Sequence, residues 1–415
     1  MEALRPHKAL VLLLLISSVS LSAPARAEST VDGYARTYMG ILADEGMDFA
    51  IMQNTLDVRL RHTGSQGAFL ANPYLNHYDD SSLELGLRQV YVDLYFPWMD
   101  IRVGRQQVVW GKADGVFITD VVSPKDLREF LLPEFEEIRQ GITAVKANFY
   151  IGEQTIELIW VPVFTATGLP DEGSMWRPAT MLPAGAVLDS SRQEVPLALE
   201  NSELFARYSV MSSWGDLELV GGWMWDDDPA LHRKVTMDVQ SGQPAVTITP
   251  EHHRLPMGGL SFSTAAGPFV LKTEAAYYHE KRFQTESPSD SDGLLEKSYI
   301  HSMVGASVKI WEINTGVQYI QRAIIDHDDG QVAEQFEHTV TVLLSMDFLR
   351  ETLHLSLFSY VGIEPWNALV RPTVSYDFPG GIQALVGTNL FFGDEGTFGQ
   401  FDSNDMVYAK LKYSF

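Results

Sequence analysis

The sequence predicts an all-β transmembrane antiparallel β-barrel of about 16 strands, with short periplasmic turns and long extracellular loops. Three observations carry that expectation. Segments of roughly ten residues alternate apolar and polar along most of the chain. Short turns and long links follow each other in regular order. An export segment opens the chain, and no later apolar stretch is long enough for a membrane-spanning helix.

The first element is residues 1–27, read as a cleaved signal peptide. Arg5 and Lys8 give a positive start, and Ala9–Ile16 is an unbroken apolar run. Ala25 and Ala27 then form a small-x-small cleavage site. The run is too short to span a bilayer, which needs about 20 apolar residues as a helix. Cleavage would remove three cations (Arg5, Lys8, Arg26) and one anion (Glu2), moving the net charge from −24 to −26. An exported chain without apolar helices is either soluble or a barrel, the other fold that satisfies its backbone inside lipid.

The strands are clearest at the end of the chain. Val407, Ala409, Leu411, Tyr413 and Phe415 alternate with Tyr408, Lys410, Lys412 and Ser414. The same period recurs upstream. Ala384, Val386, Leu390 and Phe392 share a face, as do Val370, Val374, Tyr376 and Phe378. So do Leu353, Leu355 and Leu357; Val340, Val342, Leu344 and Met346; Val304, Val308 and Ile310; Phe269, Leu271, Ala275 and Tyr277; and Leu217, Leu219, Trp223 and Trp225.

Short turns fall at 97–98, 152–153, 214–215, 267–268, 311–312, 350–351 and 379–380. Longer links occupy 62–82, 112–138, 164–201, 226–255, 281–297, 324–336, 362–367 and 393–404. Outer-membrane barrels put turns inside and loops outside. With the last strand running inward and one strand at 47–61 running outward, parity gives 16 strands. Another at 33–42 would break parity, so 28–45 is expected to be a periplasmic or lumen-packed lead-in, with the barrel covering 46–415.

Trp98, Trp214 and Trp311 sit at the short turns. Tryptophan favours that depth because its ring is apolar while its N–H seeks water. The last strand, with Tyr413 two before Phe415, resembles the signal by which bacterial outer-membrane barrels are recognised by their assembly machinery. That resemblance implies a bacterial outer-membrane location, with lipid and lipopolysaccharide as surroundings.

The most distinctive block is Ile101–Asp126. Gly104-Arg105-Gln106 is followed by Trp110-Gly111, Asp114, Asp120 and Pro124-x-Asp126. The arrangement resembles a family of uncharacterised proteobacterial outer-membrane barrels and is more loosely similar to the alginate-export porins. The resemblance implies an outer-membrane pore or export channel. Physically the block is a strand rising into a loop, with a short helix expected at 125–130. Gly104 and Gly111 suit a bulge or a close backbone approach. Arg105 paired with a loop carboxylate would pin the loop over the lumen. The other reading is a turn cluster with solvated acids. Alternation points Arg105 to lipid, and a bulge at Gly104 would turn it inward.

If the apolar set faces lipid, the opposite set lines the lumen. It includes Arg59, Arg61, Lys146, Lys272, Lys309, Arg371, Lys410 and Lys412, with Asp57, Asp93, Glu157, Glu218, Glu274 and Asp347. Two readings stand side by side. Inward charges pair across the wall and stiffen it, or Arg59, Arg61, Lys410 and Lys412, on strands that meet at closure, form a basic strip favouring anions.

Other functions are limited by composition. Lys and Arg total 30 against 54 Asp and Glu, which argues against nucleic-acid partners. The absence of cysteine excludes disulfides, thiolate metal sites and thiol nucleophiles. No cofactor or metal site is expected beyond loosely held Ca2+ or Mg2+ at acidic loops such as 226–228 and 326–330. His354 and Ser356 share a face, but no Gly-x-Ser-x-Gly elbow accompanies them, and no enzyme is expected. The sequence therefore points to a channel passing solutes. The alternative is an export or import barrel for polysaccharide or hydrophobic cargo, working with a periplasmic or inner-membrane partner.

Overall fold

The computed structural model describes residues 28–43, 46–79, 81–178, 185–237, 244–287 and 289–415. The export segment, with Ala25 and Ala27, lies outside the described residues. Among those described, 18 strands form one antiparallel sheet. They begin with β1 (Glu28–Leu42), β2 (Phe49–Thr63), β3 (Gly67–Tyr78), β4 (Leu83–Tyr95), β5 (Met99–Gln106), β6 (Ile142–Ile151) and β7 (Gln154–Val161). Beyond a long loop that contains β8 (Val187–Leu188) come β9 (Glu203–Ser212) and β10 (Gly215–Trp223). β11 (Ala230–Met237) and β12 (Pro244–Glu251) join β8 in a separate three-stranded sheet on the extracellular loops.

The barrel continues through β13 (Met257–Ala266), β14 (Phe269–Gln284), β15 (Leu294–Ile310), β16 (Ile313–Ile324) and β17 (Phe336–Phe348). It ends with β18 (Leu353–Gly362), β19 (Asn367–Phe378), β20 (Ile382–Phe392) and β21 (Met406–Ser414). β21 pairs with β1 from Tyr34↔Ser414 to Leu42↔Met406, which closes the ring and leaves no free sheet edge. Gly33 N donates to Phe415 O at 3.1 Å, and Phe415 N to Gly33 O at 3.0 Å, so the pairing runs to the final residue.

The expectation for 28–45 is corrected. β1 is a wall strand that pairs along its length with β2, from Glu28↔Thr63 to Ile41↔Phe49. The count is 18 instead of 16 because the 62–82 link also contains a strand, β3. Its turn-forming residues hide it. The register shifts between Asn72 and Pro73, a bulge that accommodates a residue with no N–H to donate. Two missed strands preserve even parity, so the sum still closed. They also reverse one direction: β2 runs inward, not outward.

Alternation explains the rest. Leu219, Val304, Val317, Val386 and Leu411 point outward and are about half exposed, an apolar band suited to lipid. Trp98, Trp214 and Trp311 are exposed at the periplasmic turns. Buried side chains lie inside the ring. One apolar cluster joins Val108, Trp110, Ile118 and Val122 to Phe205, Met257, Tyr278 and Tyr299. A second joins Leu132 and Trp176 to Leu369, Phe391, Phe398 and Phe401. Both include residues of the loop 107–141, which has folded into the barrel.

Candidate functional site

Loop 107–141 leaves β5, crosses the lumen and returns to β6. On the far wall Glu274 of β14 is 1% exposed. Its carboxylate accepts from the backbone N–H of Lys112 (2.7 Å), Ala113 (3.0 Å) and Thr119 (2.6 Å), and from Thr119 Oγ1 (2.7 Å). Hydrogen bonds to a buried charge are worth about 1.5–3 kcal/mol each, so this one side chain fixes the loop's turn. Gly111 permits it. Its φ is +84°, and a Cβ there would lie 2.6 Å from Glu274 Oε1.

Further anchors follow around the wall. Gln318 of β16 accepts from Asp114 N at 2.9 Å and donates to Asp114 O at 2.7 Å. Lys272 Nζ meets Asp114 Oδ2 at 2.7 Å. Tyr360 of β18 donates to Gly115 O at 2.7 Å, and Tyr278 to Ile118 O at 2.5 Å. Arg371 of β19 donates to the carbonyls of Leu131 (3.0 Å) and Leu132 (2.8 Å). Lys410 of β21 lies 3.6 Å from Glu134. Arg36 of β1 and Arg88 of β4 hold Glu137 at 3.0 and 3.3 Å, and Tyr34 donates to it at 2.9 Å. The loop is thus tied to strands on every side of the ring.

The residues of the distinctive block sit at its root and along it. Gly104 has φ +134°, and a Cβ would lie 2.3 Å from Val90 O. The β4–β5 register stays regular through it, so Arg105 keeps the lipid-side face of Ile101 and Val103. Arg105 Nε donates to Leu87 O at 2.9 Å, and of the two readings left open for it the pairing with a loop carboxylate does not form among the described residues. Gln106 is fully buried and donates to Ala144 O at 3.1 Å. Trp110 Nε1 donates to Glu157 Oε1 at 2.7 Å. Asp120 accepts from Trp110 N at 3.0 Å and pairs with Arg139 at 2.7 Å. Burial raises the Asp120 carboxyl, against the pull of Arg139. Pro124 O accepts from Gln140 N at 2.8 Å, and Asp126 pairs with Arg128 at 2.6 Å. The helix expected at 125–130 is absent. A single helical turn forms instead at Phe135–Ile138.

The inward charges divide into two groups. Most are paired. Asp93 holds Arg102 at 2.7 Å. Lys146–Glu157 (3.5 Å), Glu157–Arg207 (3.3 Å), Arg207–Glu218 (3.7 Å) and Glu218–Lys112 (3.0 Å) form a chain from wall to loop. Lys309 sits exposed at the periplasmic rim, 3.4 Å from Glu312. His354 lies between Asp347 (2.7 Å) and Asp377 (3.2 Å), so carboxylates engage both ring nitrogens. Arg59, Arg61 and Lys412 form no ion pair among the described residues. Lys412 lies 4.6 Å from the Tyr34 ring. The strip carrying these cations is wider than expected, because β1 separates β21 from β2.

The loop divides the interior. On the β1–β4 side lies a pocket of about 230 Å3, lined by Tyr34, Asp57, Arg59, Arg88, Glu134 and Lys412 among others. On the β7–β10 side lies one of about 130 Å3, lined by Lys112, Thr155, Arg207, Ser209 and Glu218 among others.

Residues 43–346 match the family described as "Protein of unknown function (DUF1302)", nearly three-quarters of the chain. The chain belongs to the DUF1302 family. No curated protein matches it in sequence. Solved structures share the fold of this DUF1302 barrel at low identity. OccK2 (OpdF) of Pseudomonas aeruginosa, in complex with glucuronate, has a TM-score of 0.55 at 10% identity and covers 94% of this chain and 96% of its own. OccAB3 of Acinetobacter baumannii gives 0.54 at 10%, covering 94% and 99%. OpdK of P. aeruginosa with vanillate gives 0.52 at 9%, covering 94% and 98%. The DUF1302 chain therefore shares the closed antiparallel β-barrel fold of these solved structures.

Sequence reasoning located Glu274, Lys272, Arg371 and Lys410 on the inward face. It did not identify Gln318, Tyr278 and Tyr360 as loop anchors. All three are hydrogen-bonding residues at inward positions of apolar strands, which was the available signal.

Proposed function

We propose that this protein is an outer-membrane channel for small anionic solutes, admitted past loop 107–141 along the β21–β1–β2 wall. One observation carries the reading: Arg59, Arg61 and Lys412 sit on the two strands flanking β1 without an ion-pair partner among the described residues, while Arg371 is committed to loop carbonyls and the opposite wall is neutralised pair by pair. Unpaired cations beside a narrow low-dielectric passage raise the local anion concentration. The carboxylates named with OccK2 and OpdK belong to the same chemical class. Cleavage after Ala27, insertion among lipid and lipopolysaccharide, and recognition of Tyr413 and Phe415 by the barrel-assembly machinery complete the reading. The test is the reversal potential of purified protein in a planar bilayer under a salt gradient. Anion preference should fall in Arg59→Glu and Lys412→Glu. An unchanged reversal potential in both removes the anion assignment.

A second reading has its own observation. Toward the extracellular side Phe130, Trp176, Phe391, Phe398 and Phe401 pack into a buried aromatic cluster between loop and wall. Opening of that cluster would present an apolar surface to a hydrophobic cargo handed to a periplasmic or inner-membrane partner. Saturable binding of an aromatic or acyl solute to the purified barrel, lost in Phe401→Ala, would favour it.

A further inference from the structure

The extracellular sheet carries a cluster that the channel does not use. On one face of the β11–β12 ribbon, His232 and Glu251 are diagonal neighbours, and His253 follows two residues after Glu251. His232 Nε2 and His253 Nε2 face each other at 2.9 Å, and Glu251 Oε2 lies 3.6 Å from His232 Nε2. The three ligand atoms lie within 4.8 Å of one another. His252 points the opposite way, buried against Phe164, with Nδ1 2.8 Å from Asp226 O.

We infer that His232, Glu251 and His253 form a binding site for a divalent transition-metal ion of the Zn2+ type, which stiffens the β11–β12 loop where two other extracellular loops meet it. Zn–N bonds of about 2.0–2.1 Å place two tetrahedral imidazole ligands roughly 3.3 Å apart, so the rings need to separate by only a few tenths of an ångström. Two imidazoles and one carboxylate select a borderline metal over Ca2+ or Mg2+, which prefer oxygen ligands alone. The surroundings fit. His232 Nδ1 faces Asp292 Oδ2 at 3.6 Å, the carboxylate–histidine arrangement that orients a metal-binding ring. Arg192 also contacts Glu251, but a carboxylate has lone pairs enough for both partners.

The three loops already meet there. Arg233 N donates to Asp292 O of loop 285–293 at 2.7 Å. Asp189 N of loop 162–202 donates to Ile248 O at 2.8 Å. A metal ion would fix the β11–β12 hairpin between them, whatever the channel carries.

The experiment titrates Zn2+ and Co2+ into chelator-stripped full-length protein in detergent micelles, with barrel integrity followed by heat-dependent electrophoretic migration. One tight equivalent is expected, with the visible absorption of tetrahedral Co2+. His232→Ala and His253→Ala should weaken it beyond the ~10–100-fold loss typical of a supporting residue, and Asp292→Asn should cost within that range. His253→Gln serves if the alanine variant fails to fold. His279→Ala, outside the cluster, should bind as the parent does, and millimolar Mg2+ should not displace Zn2+. Absence of saturable Zn2+ binding, unchanged binding in the His232 and His253 variants, or displacement by Mg2+ would overturn the assignment.

Discussion

Thr119 and Glu274 meet across the lumen, 155 residues apart in sequence, through two hydrogen bonds of 2.6 and 2.7 Å to one carboxylate oxygen. A buried carboxylate on the far wall thus holds the loop. Glu274→Ala strands three loop N–H groups and should free the loop, at a local cost of about 3–5 kcal/mol. Single-channel recordings should show larger and noisier steps than the parent, with the barrel still folded. Parent-like conductance would mean that the loop does not set the passage.

Gly111 makes the same point through backbone geometry. Gly111→Ala forces a side chain into a φ of +84° and against Glu274. Strain of about 1–3 kcal/mol is expected. Proteolysis within 107–141 should become faster while the rest of the barrel stays resistant.

Glu129 gives the loop a pH dependence. Burial, reinforced by Glu137 and Asp126 and opposed by Arg36 and Arg128, raises its carboxyl from 4.5 to about 7. An acid raised in the folded state favours the protonated form. Its stabilising contribution is therefore full below about pH 4.5 and is lost as pH rises to about 7, up to about 3 kcal/mol. Hydrogen exchange at 127–132 should quicken between pH 5 and 8, after correction for intrinsic rates. Glu129→Gln should abolish the dependence.

The chain Lys146–Glu157–Arg207–Glu218–Lys112 predicts a different sensitivity. Removing a middle member strands its neighbours, so Arg207→Ala should destabilise by roughly 3–5 kcal/mol in this enclosed setting. Glu218→Gln, near the end, should cost less. Thermal unfolding in micelles compares the two.

Most of the architecture was readable because a barrel wall obeys a period of two. Each inward charge named from alternation falls on the inward register, and each short turn lies between paired strands. The two lost strands failed for physical reasons. β3 carries Pro73 and two asparagines, residues that elsewhere mark loops, and a bulge absorbs the proline. β1 was set aside because parity had been satisfied without β3. The site was less legible. Alternation reports a face but not a partner, so Glu274 could be placed in the lumen while its bonds to Thr119 and Lys112 could not. Arg36 and Glu137 were missed because one lay in the supposed lead-in and the other in a loop without period.

The central claim is that solutes cross the membrane inside this ring. Conductance of the purified protein in planar lipid bilayers tests it most directly. The account predicts discrete steps that favour anions and that lose this preference in the Arg59→Glu, Lys412→Glu double variant. A folded, membrane-inserted barrel that shows no steps with either protein would contradict it.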